Sequence, residues 1–202
     1  MQNHEKGVVM TTGTAQQSAV DAANELADRY LHTSNDHDLE RVAECLADEV
    51  VYHVPGQPGP LEGRAAVLGW IGSTFAAMPD FHVDERDRWV ATDGTTVATR
   101  IVLTGTFNGE RLEPAGFDPT GERIEFPAMD RVEVRDGKIL RAELYFDMLA
   151  IGHEIGAAPP PGSIGERLGV AMQRRYARRR LRKVRHRTTG ALNDARGDGA
   201  PR

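Results

Sequence analysis

The sequence predicts an α+β fold, in which helices come first and a run of antiparallel strands follows. Before residue 80, apolar residues recur at three- and four-residue steps, as on one face of a helix. From residue 81 to residue 146 the pattern becomes four strand candidates, with Asp-Gly pairs at 93–94 and 136–137. Tight hairpins favour Asp-Gly because glycine accepts positive φ. Helices followed by hairpins are typical of α+β folds and not of a doubly wound sheet.

The predicted elements follow from local patterns and from turn signals. They are a helix from Gln16, a helix over 39–46 with Asn35 or Asp36 as its N-cap, a strand over 49–54, a helix over 63–77, strands over 81–90, 95–107, 124–134 and 138–146, and a short helix over 148–155. The first strand ends at Pro55, because proline lacks the N–H that a sheet ladder needs.

Charge divides the chain into segments. The net charge is −5, but residues 163–187 hold ten Lys or Arg against Glu166, a net of +9. Residues 188–202 balance, so residues 1–162 carry −14. We therefore expect a disordered leader over 1–15, one domain over 16–156, a stiff proline-rich linker over 157–162, and a basic helix with a disordered tail over 163–202.

Several functional classes have no support in the sequence. The single cysteine, Cys45, excludes an internal disulfide framework and a multi-cysteine zinc site, and the seven histidines show no convincing metal-ligand spacing. No apolar run approaches the roughly 20 residues that span a bilayer. The first residues lack the basic start and apolar stretch of a secretory signal. We expect a cytoplasmic protein with no metal and no cofactor.

Three polar side chains stand out on the strands. Asp130 shares a face with five apolar residues of the strand over 124–134, where an unpartnered carboxylate is costly. It is either a functional acid, a strand-end residue or part of a structural ion pair. Arg100, in mid-strand, is either solvated or directed into a pocket. His53, near the end of its strand, is either structural or functional.

The last strand presents two faces, and both readings stay open. One face is apolar, whereas the other carries Arg141, Glu143, Tyr145 and Asp147. Simple alternation sends the second face to solvent. A sheet that curls around a polar cavity would instead bury both faces.

Four blocks of residues, in this order, resemble the SnoaL-like ester/polyketide cyclase family of the nuclear transport factor 2-like superfamily. They are NDHDL at 35–39; VVYHVPG at 50–56 with LEGRAA at 61–66 and MPDF at 78–81; Arg100 and TGTFNG at 104–109 with PTGERIEF at 119–126; and RDGKI at 135–139 running on to Asp147. Each block alone is weak, but four in order are specific for the family. The resemblance covers residues 22–156.

The resemblance implies a cone-shaped, curved antiparallel sheet wrapped by the N-terminal helices and open at one end. It implies that His53, Arg100, Asp130 and Asp147 point into the cone as catalytic residues, with Asp147 at the position of the family's acid/base aspartate. The residues expected to bind a small lipophilic substrate are Tyr52, Trp70, Phe75, Phe126, Glu143 and Tyr145. A homodimer is the expected assembly.

The implied chemistry is proton transfer by carboxylates, leading to intramolecular aldol cyclisation of a polyketide-type substrate. A carboxylate in a dry cavity has a raised pKa, which suits a general acid or base. Epoxide hydrolysis and ketone isomerisation of a lipophilic small molecule are alternative activities. A further alternative is a non-catalytic protein whose cone only binds a small ligand.

The basic C-terminal segment lies outside the resemblance. Leu168, Ala171, Met172, Tyr176 and Leu181 form a loose apolar stripe among arginines. Such a helix is either solvated, docked on an acidic protein surface, or bound to an anionic membrane. Nucleic acid is a less favoured partner.

Overall fold

The computed structural model describes the backbone of residues 5–197 and the side chains of residues 13–181. The helices are α1 (Glu5–Asn35), α2 (Leu39–Cys45), α3 (Arg64–Ala77), α4 (Met148–Glu154) and α5 (Ile164–Gly197). The strands are β1 (Leu46–His53), β2 (Leu61–Glu62), β3 (His82–Val90), β4 (Thr96–Thr106), β5 (Arg123–Arg135) and β6 (Lys138–Phe146). The predicted α+β class and its helix-then-strand order are confirmed.

All six strands form one curved, unclosed sheet in the order β2-β1-β6-β5-β4-β3. Neighbouring strands are antiparallel except β1 and β6, which run parallel with Tyr52 opposite Ala142. The curved sheet was expected to be antiparallel, and the β1–β6 pair is an exception to that expectation. A parallel pair needs a long crossover connection, and the chain between β1 and β6 supplies one.

The core lies between the inner face of this sheet and the first three helices. Ala23 and Leu26 of α1 and Val67 and Ile71 of α3 are buried against strand residues. The strand members of this cluster are Leu46, Val50, Tyr52, Val97, Ile101, Leu103, Ala128, Val132, Ile139, Ala142 and Leu144. On β4 and β5 these residues alternate with accessible ones, so the period of two defines the inner face.

Two helix starts differ from the sequence-based expectation. Helix α1 begins at Glu5, within the segment predicted to be a disordered leader; residues 1–4 lie outside the described residues. Extending an existing helix needs no new nucleation, and no proline interrupts this stretch. Helix α2 is capped by Asp38, and not by Asn35 or Asp36, because Asp38 Oδ1 accepts the Arg41 N–H at 3.0 Å.

The chain divides into two compact units, residues 1–157 and 158–202. The second unit contains α5, which runs to Gly197, so the predicted disordered tail is helical over most of its described length. Residues 198–202 of that predicted tail lie outside the described residues. None of the helices described between residues 5 and 197 has the length and apolar character to cross a bilayer.

Candidate active site

Asp130 occupies the inner face of the sheet at its centre. In the register of the sheet it lies between Thr99 of β4 and Leu144 of β6. Directly paired residues on neighbouring strands share a face. The rows on either side are apolar, namely Ile101, Ala128 and Phe146 on one side and Val97, Val132 and Ala142 on the other. The strand pattern thus holds a single carboxylate within an apolar wall.

One oxygen of the Asp130 carboxylate, Oδ1, is shielded and unpartnered. This atom is out of contact with solvent and accepts no hydrogen bond. Burial raises the pKa of Asp130 to about 7, although the backbone N–H of Arg131 opposes part of this change. Removing a carboxylate from water disfavours its charged form, which is the physical cause of the shift. At neutral pH this group therefore exchanges between acid and base.

Two tyrosines lie near Asp130. Tyr30 comes from α1 and Tyr52 from β1, and their side chains interact with each other. Burial, followed by the negative charge of Asp130, raises the pKa of both phenols well above the usual range. Both phenols therefore keep their protons at neutral pH and can donate hydrogen bonds, one of which joins the two hydroxyls. Tyr30 was not among the predicted candidate residues, although a polar tip within a buried helical stripe was a readable signal.

Aromatic rings extend the wall around these polar groups. Trp70 of α3 meets Tyr52 edge to face, with ring centroids 5.6 Å apart. Phe126 packs on Phe146 at 5.3 Å on the inner face of the sheet. Phe75, also expected to bind substrate, stacks on His37 at 4.2 Å. Tyr52 belongs to the buried core cluster, and Trp70, Phe75 and Phe126 pack against that cluster.

Arg100 and His53 do not point inward as the resemblance implied. Arg100 lies on the opposite face of β4, where its side chain is 52% exposed and pairs with Asp87 through Nε at 2.6 Å. His53 is exposed at the end of β1. Strand alternation explains both positions, because Ile101 and Tyr52, their neighbours in sequence, take the inner places.

Asp147 also lies outside the expected pocket. It is exposed at the end of β6, and its Oδ1 accepts the backbone N–H groups of Leu149 at 2.9 Å and Ala150 at 3.0 Å. This arrangement makes Asp147 the N-cap of α4. Its carboxylate satisfies donors that the first turn of a helix leaves free, so the structure gives it a structural use.

The outer face of β6 carries the remaining predicted residues. Tyr145 is exposed, and its hydroxyl donates to Glu143 Oε2 at 3.0 Å, while Arg131 Nη1 lies 3.5 Å from the same oxygen. Of the two readings of this strand, simple alternation is therefore the one observed. His53, Glu143 and Tyr145 line an open cleft of about 410 Å³ beside the loop over 54–60.

The described part of the chain contains no candidate metal-binding cluster. No group of three or more His, Cys, Asp or Glu side chains within it is placed to hold a metal ion. The chemistry available at Asp130 is proton exchange beside two phenolic donors and an aromatic wall.

Comparison with known proteins places this architecture in a family. The family model of the SnoaL-like domain matches residues 27–142, more than half of the chain. The match contains Tyr30, Tyr52 and Asp130, whereas Asp147 and α5 lie beyond it. No curated protein matches the sequence.

Solved structures share the fold. IdmH from Streptomyces antibioticus, assigned as a polyketide cyclase, is 29% identical with a TM-score of 0.55, covering 66% of this chain and 98% of that one. A protein from Jannaschia sp. CCS1, assigned as a SnoaL-like polyketide cyclase, is 21% identical with a TM-score of 0.58, covering 69% of this chain and 94% of that one.

A third structure is the epoxide hydrolase/cyclase-like enzyme SalBIII, described for pyran ring formation in the polyether salinomycin. It is 21% identical with a TM-score of 0.52, covering 62% of this chain and 91% of that one. These likenesses confirm the expected fold, and the matched model confirms the resemblance found in the sequence. The chain belongs to the SnoaL-like domain family.

Proposed function

We propose that this protein is an acid/base enzyme that closes a ring in a polyketide-type substrate by intramolecular aldol addition, with Asp130 as its acid and base. The observation that carries the proposal is the shielded, unpartnered Oδ1 of Asp130 beside Tyr30 and Tyr52. A buried polar atom without a hydrogen-bond partner is uncommon and costly. A bound substrate that supplies the missing partner would explain why Oδ1 of Asp130 has none.

The first step is proton removal from carbon. Ionised Asp130 takes the acidic proton from a carbon flanked by carbonyl groups, and the electron pair moves onto a carbonyl oxygen to form an enolate. Tyr30 and Tyr52 donate hydrogen bonds to that oxygen as its charge develops. Donors preplaced in a water-poor site stabilise such charge more than water does. The raised pKa of Asp130, about 7, makes it a stronger base than an ordinary aspartate.

The second step forms the ring. The enolate carbon attacks a second carbonyl of the same molecule, one carbon–carbon bond forms, and the carbonyl electrons become an alkoxide. Protonated Asp130 returns its proton to this alkoxide, so the enzyme is regenerated and the product has the mass of the substrate. The apolar wall with Trp70 and Phe126 would hold the substrate in a folded conformation that brings its two reacting carbons together. Proximity of this kind can remove much of the activation barrier.

The geometry supports the two alternative activities to different degrees. Epoxide hydrolysis needs a carboxylate pair and an arginine around one water. Asp147 caps α4 and Arg100 pairs with Asp87 on the outer face, so neither joins Asp130. Ketone isomerisation needs one acid/base and oxyanion donors, which are present, so the same residues would serve it on a substrate without a second carbonyl.

The test compares wild type, Asp130→Asn and Asp147→Asn on a panel of polyketide methyl esters, steroid-like ketones and lipophilic epoxides. Product mass separates the reactions, because cyclisation and isomerisation keep the mass and hydrolysis adds water. We expect wild type and Asp147→Asn to convert a panel member that Asp130→Asn binds without converting. Equal conversion by Asp130→Asn would remove this residue from the mechanism, and binding without conversion by wild type would indicate a carrier.

A further inference from the structure

Helix α5 carries an exposed apolar row. Ile164, Leu168, Met172 and Tyr176 follow one another at four-residue steps and are 77%, 62%, 71% and 60% exposed. Residues four apart lie one above the other on a helix. Large apolar side chains exposed in a contiguous row mark a surface that binds something.

Arginines surround this row. Within residues 163–187, nine of the ten basic residues are arginine, opposed by the single Glu166. Arg175 and Arg179 lie on the same side of the helix as the row, at one residue short of and three residues beyond Tyr176, and both are exposed. Guanidinium groups bind phosphate oxygens in a two-point fashion and are weakly hydrated. The helix therefore offers apolar and phosphate-binding groups on one side.

We infer that α5 binds, along its length, the surface of a bilayer that contains anionic phospholipids. Such a surface presents hydrocarbon and phosphate to the same side of a helix, which suits the row and the arginines together. This inference concerns α5 alone and does not depend on the proposed cyclase activity.

Two other partners fit only one of the two properties. A second copy of α5 would cover the apolar row but would bring two strongly positive helices together. Nucleic acid would satisfy the arginines but would leave Ile164, Leu168 and Met172 in water. The acidic remainder of the chain, at −14, is repelled by an anionic bilayer. The proline-rich linker over 157–162 precedes α5, so the contact falls to the helix itself.

The experiment measures co-sedimentation of the full chain with sucrose-loaded vesicles of phosphatidylcholine, with and without phosphatidylglycerol, over a range of salt. The test variant is Leu168→Gln/Met172→Gln, on the apolar row. The matched control is Val170→Gln/Ala177→Gln, which places the same two glutamines on the opposite side of α5. Circular dichroism of all three proteins checks that helicity is retained.

We expect wild type and the control to bind vesicles with phosphatidylglycerol and not those of phosphatidylcholine alone, and to lose binding as salt rises. The row variant should partition about tenfold less. Equal binding by the row variant would overturn the inference, because charge alone would then explain the contact. So would the absence of vesicle binding at low salt, or tighter binding to duplex DNA or polyglutamate than to vesicles.

Discussion

The two faces of the sheet place charged side chains in opposite environments. On the outer face, Arg100 pairs with Asp87, and Arg131 lies near Glu133 and Glu143, so each charge has a partner as well as water. On the inner face, Asp130 has neither at its Oδ1. Exposed ion pairs of this kind contribute little to stability, whereas a buried unpaired carboxylate costs free energy. Such a loss of stability is tolerated where the buried group serves function.

The largest expected effect is on turnover. Asp130→Asn keeps the shape of the side chain but removes its ability to exchange a proton, so turnover should fall by about 100- to 10,000-fold. Steady-state kinetics on the substrate found in the panel give the measurement. In wild type, kcat/KM should rise with pH up to about 7 and then level off, since the base form of Asp130 is required. A flat pH profile through this range would contradict the role of Asp130 as base.

The tyrosines should have the next largest effect. Tyr52→Phe removes one hydroxyl donor and leaves the ring, so turnover should fall by about 100-fold while substrate binding changes little. Tyr30→Phe should act in the same direction. If single-turnover rates of both variants equal that of wild type, the enolate oxygen does not meet these hydroxyls.

Stability should change in the direction opposite to activity at Asp130. Its folded pKa, about 7, lies above that of the unfolded chain, so protonated Asp130 favours the folded state. Stability therefore falls as pH rises from about 4 to about 7, where the unfolded chain has already lost the proton. At about 1.4 kcal/mol per pKa unit, the free energy of unfolding above pH 7 should be lower by about 4 kcal/mol than it is at low pH.

Asp130→Asn should therefore unfold at higher denaturant concentration than wild type at pH 8, and at nearly the same concentration at pH 4. Urea titrations at both values measure the difference. Equal stability at pH 8 would show that the carboxylate is not desolvated in solution.

Outside the inner face, substitutions should have small effects. Asp147→Ala removes the N-cap of α4 and should cost about 1 kcal/mol of stability, with turnover within a few-fold of wild type. Arg100→Gln breaks the exposed pair with Asp87 and should change stability by no more than about 0.5 kcal/mol. Thermal denaturation and the same kinetic assay measure both. If either variant lost as much turnover as Asp130→Asn, the claim that the catalytic groups lie only on the inner face would be contradicted.

Local patterns predicted much of this arrangement. The bounds of β6 were predicted to the residue, and Gly94 and Gly137 of the Asp-Gly turns have positive φ, as tight turns require. The inward position of Asp130 followed from alternation with apolar neighbours on its own strand. These features depend on residues close in sequence, which is why the sequence alone specified them.

Features that join distant segments were not predictable in the same way. The interaction of Tyr30 with Tyr52 depends on how α1 packs against β1, and the parallel pairing of β1 with β6 depends on the whole intervening chain. Asp147 is a different case. An aspartate directly before a predicted helix at Met148 is a common N-cap, but the prediction followed the resemblance and assigned Asp147 as the acid/base residue.

The most direct test of the central claim is the titration of Asp130 itself, followed through its side-chain carboxyl carbon by NMR and assigned by the loss of that signal in Asp130→Asn. We expect a midpoint near pH 7, because burial without a hydrogen-bond partner at Oδ1 raises the pKa of Asp130 to about that value. A midpoint near pH 4, the value of a solvated aspartate, would contradict this expectation. Asp130 would then be an ordinary hydrated carboxylate, and the proposed acid/base site would lose its physical basis.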